Sequence, residues 1–467
     1  MISDQRKINH LYWRAAFGPQ LGTNYKQLPA DHLKLLFEKI TPHEPISLDY
    51  WKQIRAIELQ KMPKEARVEY RKNERKARYD IIEKLLDRYA GPNNLLREKV
   101  AFFWMSHFAC RIGNPAFMMQ YYNIIATHAL GSFHDLLKEI LHNAAMIQFL
   151  NNNQNRKSHP NENLARELME LFTLGRGQYT EKDVQECARA LTGWAFDHDG
   201  NFVFRKENHD NDEKTVLGKT GNFDGNDIVN ILLEKKDCAR FITRKIYTWF
   251  VNEEIDEHHL EILSEQYYQS GYRTDQLLKS IFSSAWFYDP RNIGTRIKSP
   301  VDLITGISRD FNIRYLNPAT RFQIMGIMGQ ILFDPPNVAG WPKGKNWIDS
   351  STMMYRNRLP EVLLTDAESL LRERESFDAQ EAMMTGVREN NNKKKVKTEF
   401  ESKPFTSHFS SADPALLIDE MSQHLLQLDL TPELKSTVQS FIGNTPGPAQ
   451  TLQMAIYLMS LPHYQLC

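Results

Sequence analysis

The chain has 467 residues, of which 41% are hydrophobic and 25% are charged; this composition is typical of a folded protein and excludes a disordered or fibrous chain. The 58 Lys and Arg residues balance 58 Asp and Glu residues, so the charge favours neither nucleic acid nor an anionic membrane as a partner. Four cysteines are scattered along the chain without a CxxC spacing, and they predict neither a disulfide framework nor a zinc knuckle.

The N-terminal segment lacks the features of a secretory signal. Its first 19 residues, MISDQRKINHLYWRAAFGP, carry charged and polar side chains where a signal needs an unbroken apolar run. No later segment reaches 18 consecutive apolar residues, the length that indicates a transmembrane helix. These observations predict a cytoplasmic protein without a membrane span.

Apolar residues recur mainly at helical spacing and alternating strand patterns are scarce, so we expect a mainly α fold with a large multi-helix body. Basic residues between 61 and 78 are interspersed with acidic ones, a pattern typical of a solvated helix face rather than of a phosphate-binding patch. Residues 95–108, LLREKVAFFWMSHF, predict a dense apolar helix that contains His107. This histidine is either a hydrogen-bonded core residue or a functional one.

The run NENLARELMELFTLGRGQY, residues 161–179, predicts a helix that Gly175 and Gly177 end. Its apolar face contains Leu164, Leu168 and Leu171. Glu162, Arg166 and Glu170 form a charge ladder at i, i+4 spacing. Such a ladder stabilises a helix by only about 0.2 to 0.5 kcal/mol per pair and needs no function.

Glu167 lies at the border of the apolar face, where a carboxylate must be paired, hydrogen-bonded or protonated. Arg166 or Arg189 could pair with it, or it could act as a ligand. A second helix opens at Thr180 with Asp183 three residues later, the spacing of a capping box. The two helices should pack antiparallel. Their border residues Glu167, Glu170 and Asp183 would then line one groove.

Downstream, residues 194–206 predict a β-hairpin, because Asp199 and Gly200 supply a turn between two aromatic-bearing strands. Residues 333–347 contain three prolines and predict a loop, which Trp341 and Trp347 would anchor. The polar stretch 388–411 predicts a linker or long loop. Residues 1–387 would then form the main domain, and residues 412–467 a C-terminal helical unit packed on it.

No motif with a known local mechanism is present. HExxH and calcium-loop patterns are missing, as are the GxSxG nucleophile elbow, the P-loop and the Rossmann glycine fingerprint. Any metal or acid/base site must therefore assemble from separate segments. The candidates for it are His107, Glu167, Glu170, His209 and Asp210. The alternative is a structural polar network.

Several long blocks, taken together, resemble one known family. These are INHLYWRAAFGP, EKVAFFWMSHFA, NENLARELMELFTLGRGQYTEKDVQECARALTGW, the HD and KTVLG of residues 209–218, FITRKIYTWFV, IKSPVDLI, and QILFDPPNVAGWPKGKNWIDSSTMMYRNRL. They follow the order of the bacterial family called domain of unknown function 1800, and the resemblance extends to LMSLPHYQ near the C-terminus.

This resemblance implies a predominantly helical fold and a set of motif residues without an assigned role. Their positions in this chain are His107, Asn163, Arg166, Glu167, Glu170, Thr180, Asp183, Arg189, Trp194, His209, Asp210 and Lys214. It also implies a genetic association with a second family, domain of unknown function 1501, which resembles sulfatases and phosphatases. Many relatives of both families are exported, so export together with a signal-bearing partner is the alternative to cytoplasmic residence.

The first functional hypothesis is an interaction protein. The chain would be a helical partner or maturation factor for a sulfatase/phosphatase-like protein of the 1501 family. The loop that contains Trp341 and Trp347 would contribute to the contact surface.

The second hypothesis is a hydrolase that acts on a polymeric or glycan-type substrate. Glu167 or Glu170 would be the acid/base, with His107 or His209 nearby, and a divalent metal would be the candidate cofactor. Nucleic-acid binding through residues 61–78 is disfavoured by the mixed charges.

Overall fold

The structure is a computed structural model that describes residues 2–317, 319–365, 396–442 and 447–467. Part of the predicted linker, residues 388–395, lies outside the described residues. Across the described ranges, no helix combines the length and apolar character that crossing a bilayer requires.

The fold is mainly α, as the sequence predicts. The N-terminal helices are α1 (Asp4–Ala15), α2 (Pro29–Glu38), α3 (Ala56–Lys61), α4 (Lys64–Ala90), α5 (Leu95–His107), α6 (Pro115–His128), α7 (Phe133–His142) and α8 (Ala144–Phe149). The central helices are α9 (Asn163–Glu167), a π-helical segment (Leu168–Thr173), α10 (Glu181–Ala190), α11 (Gly225–Leu233), α12 (Lys236–Phe250), α13 (Glu257–Gln269) and α14 (Thr274–Ser283).

The remaining helices are α15 (Pro300–Phe311), α16 (Ala319–Ile327), α17 (Ser350–Leu364), α18 (Ser402–His408), α19 (Pro414–Leu425), α20 (Pro432–Ile442) and α21 (Pro448–Ser460). Short 3₁₀ turns lie at Asn152–Gln154, Lys206–Asn208, Ala285–Tyr288, Pro290–Asn292, Gly344–Trp347 and Pro462–Gln465.

Three small antiparallel ribbons complete the described part of the chain. They pair β1 (Trp194–Phe196) with β2 (Phe202–Phe204), β3 (Lys214–Val216) with β4 (Lys219–Gly221), and β5 (Arg314–Tyr315) with β6 (Thr398–Glu399). The first ribbon confirms the predicted hairpin. In its turn, the Asp197 carboxylate accepts hydrogen bonds from the N–H groups of Asp199 and Asn201, each at 2.9 Å.

Helix α5 lies in the centre of the core, and all 13 of its residues are buried. It packs against α1, α2, α4 and α6. The Trp104 ring stacks on Phe133 with centroids 5.3 Å apart, and its Nε1 donates to Ala129 O at 3.0 Å. Helix α5 ends with Ser106 and His107, and these two residues come close to the candidate site described below.

Residues 396–411, the described part of the predicted linker, form regular secondary structure instead of an irregular loop. It forms β6 and α18, in which Phe405 is buried and stacks on Phe311 with centroids 4.4 Å apart. Phe409, one turn later, is also buried. Two phenylalanines at i, i+4 spacing are enough to anchor a short helix, although the polar composition around them favours a loop. The helices that follow, α19 and α21, pack on α1 and α17 respectively.

Candidate functional site

The helix predicted over residues 161–179 contains a π-helical segment. Helix α9 continues directly into this segment, and the Leu174 N–H donates to Met169 O five residues back at 2.9 Å. Gly175 and Gly177 both adopt φ of +84° and end it, which confirms the predicted stop. The π geometry itself has no counterpart in the sequence prediction. Such segments are frequent at functional sites.

Two carbonyl groups near the end of the π segment bind side chains from other helices. Leu171 O accepts a hydrogen bond from Lys245 Nζ at 2.7 Å, and Phe172 O accepts one from His107 Nε2 at 3.2 Å. Because a carbonyl oxygen can only accept, Nε2 carries the proton of the imidazole. Burial lowers the pKa of His107 well below its ordinary value, and the charges of Lys245 and Lys343 lower it further. The His107 ring is therefore neutral and tied to the backbone.

The predicted charge ladder is formed only in part. Arg166 pairs with Glu162 at 3.0 Å, and also with Glu181 at 2.7 Å. Glu170 turns instead to Arg176 at 2.6 Å and accepts a hydrogen bond from the Tyr179 hydroxyl at 3.2 Å. The hydrogen bond from Arg176 is the largest influence that lowers the pKa of Glu170. Glu170 is thus ionised and paired.

Glu167 has a different environment from Glu170. Among the described residues, no hydrogen bond or ion pair involves its carboxylate, and neither Arg166 nor Arg189 pairs with it. Partial burial raises the pKa of Glu167, and the charge of Glu170 raises it further. Of the two carboxylates, only Glu167 has a raised pKa and no partner.

The glutamine variant of Glu167 should therefore be at least as stable as the parent protein at pH 7. A raised folded-state pKa means that the ionised carboxylate opposes folding, so the advantage of Glu167→Gln should grow as the pH rises from about 4 to 7. Glu170→Gln should lower the urea midpoint instead, because it removes an ionised partner of Arg176. Urea unfolding of both variants at pH 4 and pH 7 measures this. Equal losses of stability at pH 7 would contradict the assignment.

Most other motif residues form a structural network around α10. The capping box of Thr180 and Asp183 is present, as predicted, and Asp183 Oδ1 also accepts from the Leu217 N–H at 2.7 Å. Arg189 pairs with Asp210 and with Glu186, each at 2.7 Å. These bonds dock the β3–β4 ribbon on α10.

Of the remaining motif residues, Lys214, His209 and Trp194 are buried and Asn163 is not. Lys214 Nζ donates to Asp210 O at 2.6 Å. His209 is buried, and its Nδ1 lies 3.0 Å from Thr192 O. The Trp194 ring is buried over Gly225, where an added Cβ would lie 2.2 Å from an indole carbon. Asn163 is exposed at the start of α9.

The four residues that the sequence predicts as catalytic have separate environments. His107 is bonded to Phe172 O, His209 lies against Thr192, and Glu170 is paired with Arg176. Within the described part of the chain, no hydrogen bond joins any two of the four residues His107, Glu167, Glu170 and His209. Nor do the described residues contain a group of three or more His, Cys, Asp or Glu side chains that could hold a metal ion. The divalent metal stays an untested prediction.

A cavity of about 290 Å³ lies beside the π segment, between α12, the segment that precedes α15, and the loop 341–347. We call it the cationic cavity and define it by its principal lining residues: Phe241, Lys245, Trp249, Arg296, Trp341, Lys343 and Trp347. At Gly175 the wall of the cavity comes close to the run 161–179, because a Cβ at this position would lie 2.9 Å from the Phe241 ring.

The charges of the cationic cavity are unbalanced. Neither Lys245 nor Lys343 has a carboxylate within 4.0 Å among the described residues. Burial lowers the pKa of Lys245 to about 7, with a smaller contribution from the charge of Lys343. Desolvation and the charge of Arg296 lower the pKa of Lys343, which Glu253 partly opposes. Two lysine side chains with lowered pKa values thus line one space.

Arg296 completes the positive side of the cavity. It is buried, its guanidinium lies 4.3 Å above the centre of the Trp249 ring, and Asp302 Oδ2 is 3.7 Å from its Nη2. Its Nη1 is buried and has no hydrogen-bond partner within the described residues. A buried donor without a partner costs roughly 1 to 3 kcal/mol, and more when it is charged. Arg296 therefore has a buried donor without a partner at the wall of the cavity.

The loop tryptophans line the cavity and are not displayed on the surface. Trp341 and Trp347 are 5% and 6% exposed, and Trp341 Nε1 donates to Ile331 O at 3.1 Å. Their burial confirms that the two tryptophans anchor the loop. It leaves little surface of either ring accessible to a partner protein. Gly340 lets the loop approach α5: its φ is +95°, and a Cβ there would lie 2.9 Å from Ser106 O.

The sequence-based prediction of site residues does not include Lys245, Arg296 or Lys343. One signal was available on α12, where Phe241, Lys245 and Trp249 follow each other at i, i+4 and i+8. A lysine between two aromatics on one helix face is either a side chain that extends to solvent or an amine in an aromatic cavity. The positions of Arg296 and Lys343 next to it depend on the tertiary fold.

Comparison with known proteins assigns the chain to a family. The model of the family described as a protein of unknown function, DUF1800, matches residues 10–466. No curated protein and no solved structure matches the chain. The chain therefore belongs to the DUF1800 family, as its sequence blocks indicate.

Proposed function

We propose that this DUF1800 protein binds a small organic anion in the cationic cavity. The observation that carries the proposal is the convergence of Lys245, Lys343 and Arg296 on one space, with Glu253 as its acidic lining residue. An uncompensated cation in a partly desolvated site is costly, and the lowered pKa of Lys245 reflects this cost. An anionic ligand would remove it.

The walls of the cavity favour a ligand with an apolar, planar part. Trp249, Trp341 and Trp347 contribute three indoles, and Phe241 adds a fourth ring. Aromatic walls with a few converging charged groups are typical of small-molecule sites, and about 290 Å³ is near the lower end of their volumes. A carboxylate, sulfate or phosphate group on a ring-sized body has this chemistry.

Anion binding is compatible with the proposed role as a partner of a sulfatase/phosphatase-like protein of the 1501 family. Enzymes of those classes act on anionic esters, so a companion that holds an anionic substrate or product would serve them. Co-purification of the two proteins tests the partnership. A DUF1800 chain that stays monomeric in the presence of the 1501 protein would count against it.

A thermal-shift experiment tests anion binding directly. Phenyl sulfate and benzoate should raise the melting temperature saturably, whereas benzyl alcohol at the same concentration should not. Chloride at equal ionic strength controls for general salt effects. The proposal fails if the anions and the neutral alcohol give the same shift.

Two lysines of one loop provide a matched pair of variants. Both lysines are exposed, but Lys343 lines the cavity whereas Lys345, two residues later, does not. Lys343→Gln should weaken anion binding by roughly 10- to 100-fold, the value of one charge-assisted hydrogen bond. Lys345→Gln should leave it unchanged. Equal effects of the two variants would indicate a diffuse surface charge rather than a site.

The second candidate function is an acid/base hydrolase at Glu167. The observation that favours it is the raised pKa of this unpaired carboxylate, since such groups are frequent in active sites. Glu167→Gln should then abolish hydrolysis of a glycan-type substrate while the protein stays folded. Activity that survives in Glu167→Gln and is lost in Lys343→Gln would exclude Glu167 as the acid/base.

A further inference from the structure

We propose that Lys245 is a nucleophilic amine, which forms an imine with the carbonyl carbon of an oxo acid bound in the cationic cavity. This inference rests on the proposed anion binding and assigns the substrate class of the same site: an aldehyde or ketone that also carries an acidic group.

The position of Lys245 supports this role. Its Nζ lies 4.6 Å above the centre of the Phe241 ring and donates a hydrogen bond to Leu171 O at 2.7 Å. It lines the cavity, and the residue is partly accessible to solvent. The acceptor is a backbone carbonyl at the end of the π segment, which holds the amine in place without supplying the negative charge that would keep it protonated.

The electrostatic environment favours the neutral amine. Burial and the nearby ammonium of Lys343 lower the pKa of Lys245 to about 7. On its own helix, Arg244 forms an ion pair with Glu257, with 2.8 Å between Nη2 and Oε1. From α5, the neutral His107 adds no charge. A desolvated lysine beside a second cation is one of the established ways to make an amine nucleophilic at neutral pH.

The other cations of the cavity have a complementary task. Lys343 and Arg296 belong to segments other than α12 and line the same space, so they can hold the acidic group while the carbonyl faces Lys245. The reaction needs no further reagent. The amine nitrogen bonds to the carbonyl carbon, the carbonyl oxygen takes both amine protons, and it leaves as water.

Reductive trapping tests this inference. The protein is incubated with 4-carboxybenzaldehyde and sodium cyanoborohydride, and the modified lysines are located by peptide mass spectrometry. At low reagent concentration, one adduct should form, at Lys245, and exposed lysines such as Lys279 and Lys345 should stay largely unmodified. The trapping rate should rise with pH through about 7, rather than through the range near 10 of an ordinary lysine.

Three controls separate a site from general reactivity. Benzaldehyde, which lacks the carboxylate, should label Lys245 at least about tenfold more slowly, the loss expected for one missing charged contact. The unreactive 4-(hydroxymethyl)benzoate should protect Lys245. Lys245→Arg should abolish the adduct while the circular dichroism spectrum stays that of the parent protein.

Adducts spread over surface lysines, or an unmodified Lys245, would overturn the inference. If Lys245 stays unmodified although benzoate still raises the melting temperature, imine formation fails and anion binding stands. If benzoate has no effect and Lys245 is not labelled, both proposals fail.

Discussion

Replacement of Lys99 by methionine is expected to lower the free energy of unfolding by about 3 to 5 kcal/mol, the cost of removing one partner from a buried ion pair. Lys99 Nζ lies 2.6 Å from Asp302 Oδ1, and both side chains are fully buried. The pair joins the central helix α5 to the start of α15. It therefore fixes the segment that carries Arg296 into the cationic cavity.

The large effect follows from the carboxylate that Lys99→Met would leave behind. Burial opposes ionisation of Asp302, but the charges of Lys99 and Arg296 hold its pKa well below the ordinary value. Without Lys99, the nearest cation is Arg296 at 3.7 Å. Asp302 also caps α15 by accepting from the Ser299 N–H at 3.1 Å, so it cannot move to solvent without breaking the helix start.

Urea unfolding of Lys99→Met measures this loss, with Lys279→Met as the control at an exposed helix position. The control should change stability by less than about 0.5 kcal/mol. Combining Lys99→Met with Asp302→Leu should recover part of the loss, because an apolar pair tolerates burial. A loss below about 1 kcal/mol for Lys99→Met would contradict the assignment of a buried ion pair.

Replacement of Lys245 by methionine is expected to stabilise the protein near neutral pH and to weaken the proposed anion binding. With a folded-state pKa of about 7 and an unfolded value of about 10.4, the folded protein binds fewer protons than the unfolded chain between these pH values. The stability of the parent protein should therefore rise with pH across this range. The variant lacks this dependence.

At pH 6 the gain of Lys245→Met should be about 3.5 kcal/mol, after subtracting about 1 kcal/mol for the lost hydrogen bond to Leu171 O. It should shrink steadily as the pH approaches 10. Anion binding should weaken by 10-fold or more in the same variant. Urea unfolding at pH 6, 8 and 10 measures the first effect, and the benzoate thermal shift measures the second. The prediction is contradicted if the free energy of unfolding of Lys245→Met, relative to that of the parent protein, is lower at pH 6 than at pH 10.

The local elements could be predicted from the sequence because their signals are local. The capping box at Thr180 and the turn at Gly200 each depend on a few neighbouring residues. The central helix could be predicted from an apolar run within 95–108. The family could be identified from contiguous blocks, which the match over residues 10–466 confirms.

The π segment and the cationic cavity could not be predicted, because distant residues create them. The leucines of LARELMELFTL, residues 164–174, have ordinary helical spacing. The π geometry of this run accompanies the hydrogen bonds that two of its carbonyl groups accept from His107 and Lys245. The cavity joins α12 to the segment before α15 and to the loop 341–347. The charged residues that stand out in the sequence are the acidic ones of the run 161–179, whereas the unbalanced charges of the structure are the basic residues of the cationic cavity.

The most direct measurement of anion binding is the position of an anion in a crystal. Selenate has the shape and charge of sulfate, and anomalous diffraction at the selenium edge locates it unambiguously. We expect a selenium site in the cationic cavity, within about 4 Å of the Lys245 or Lys343 ammonium, and its loss in Lys343→Gln but not in Lys345→Gln. Selenate bound only outside the cavity, or in the cavity of both variants equally, would contradict the proposal.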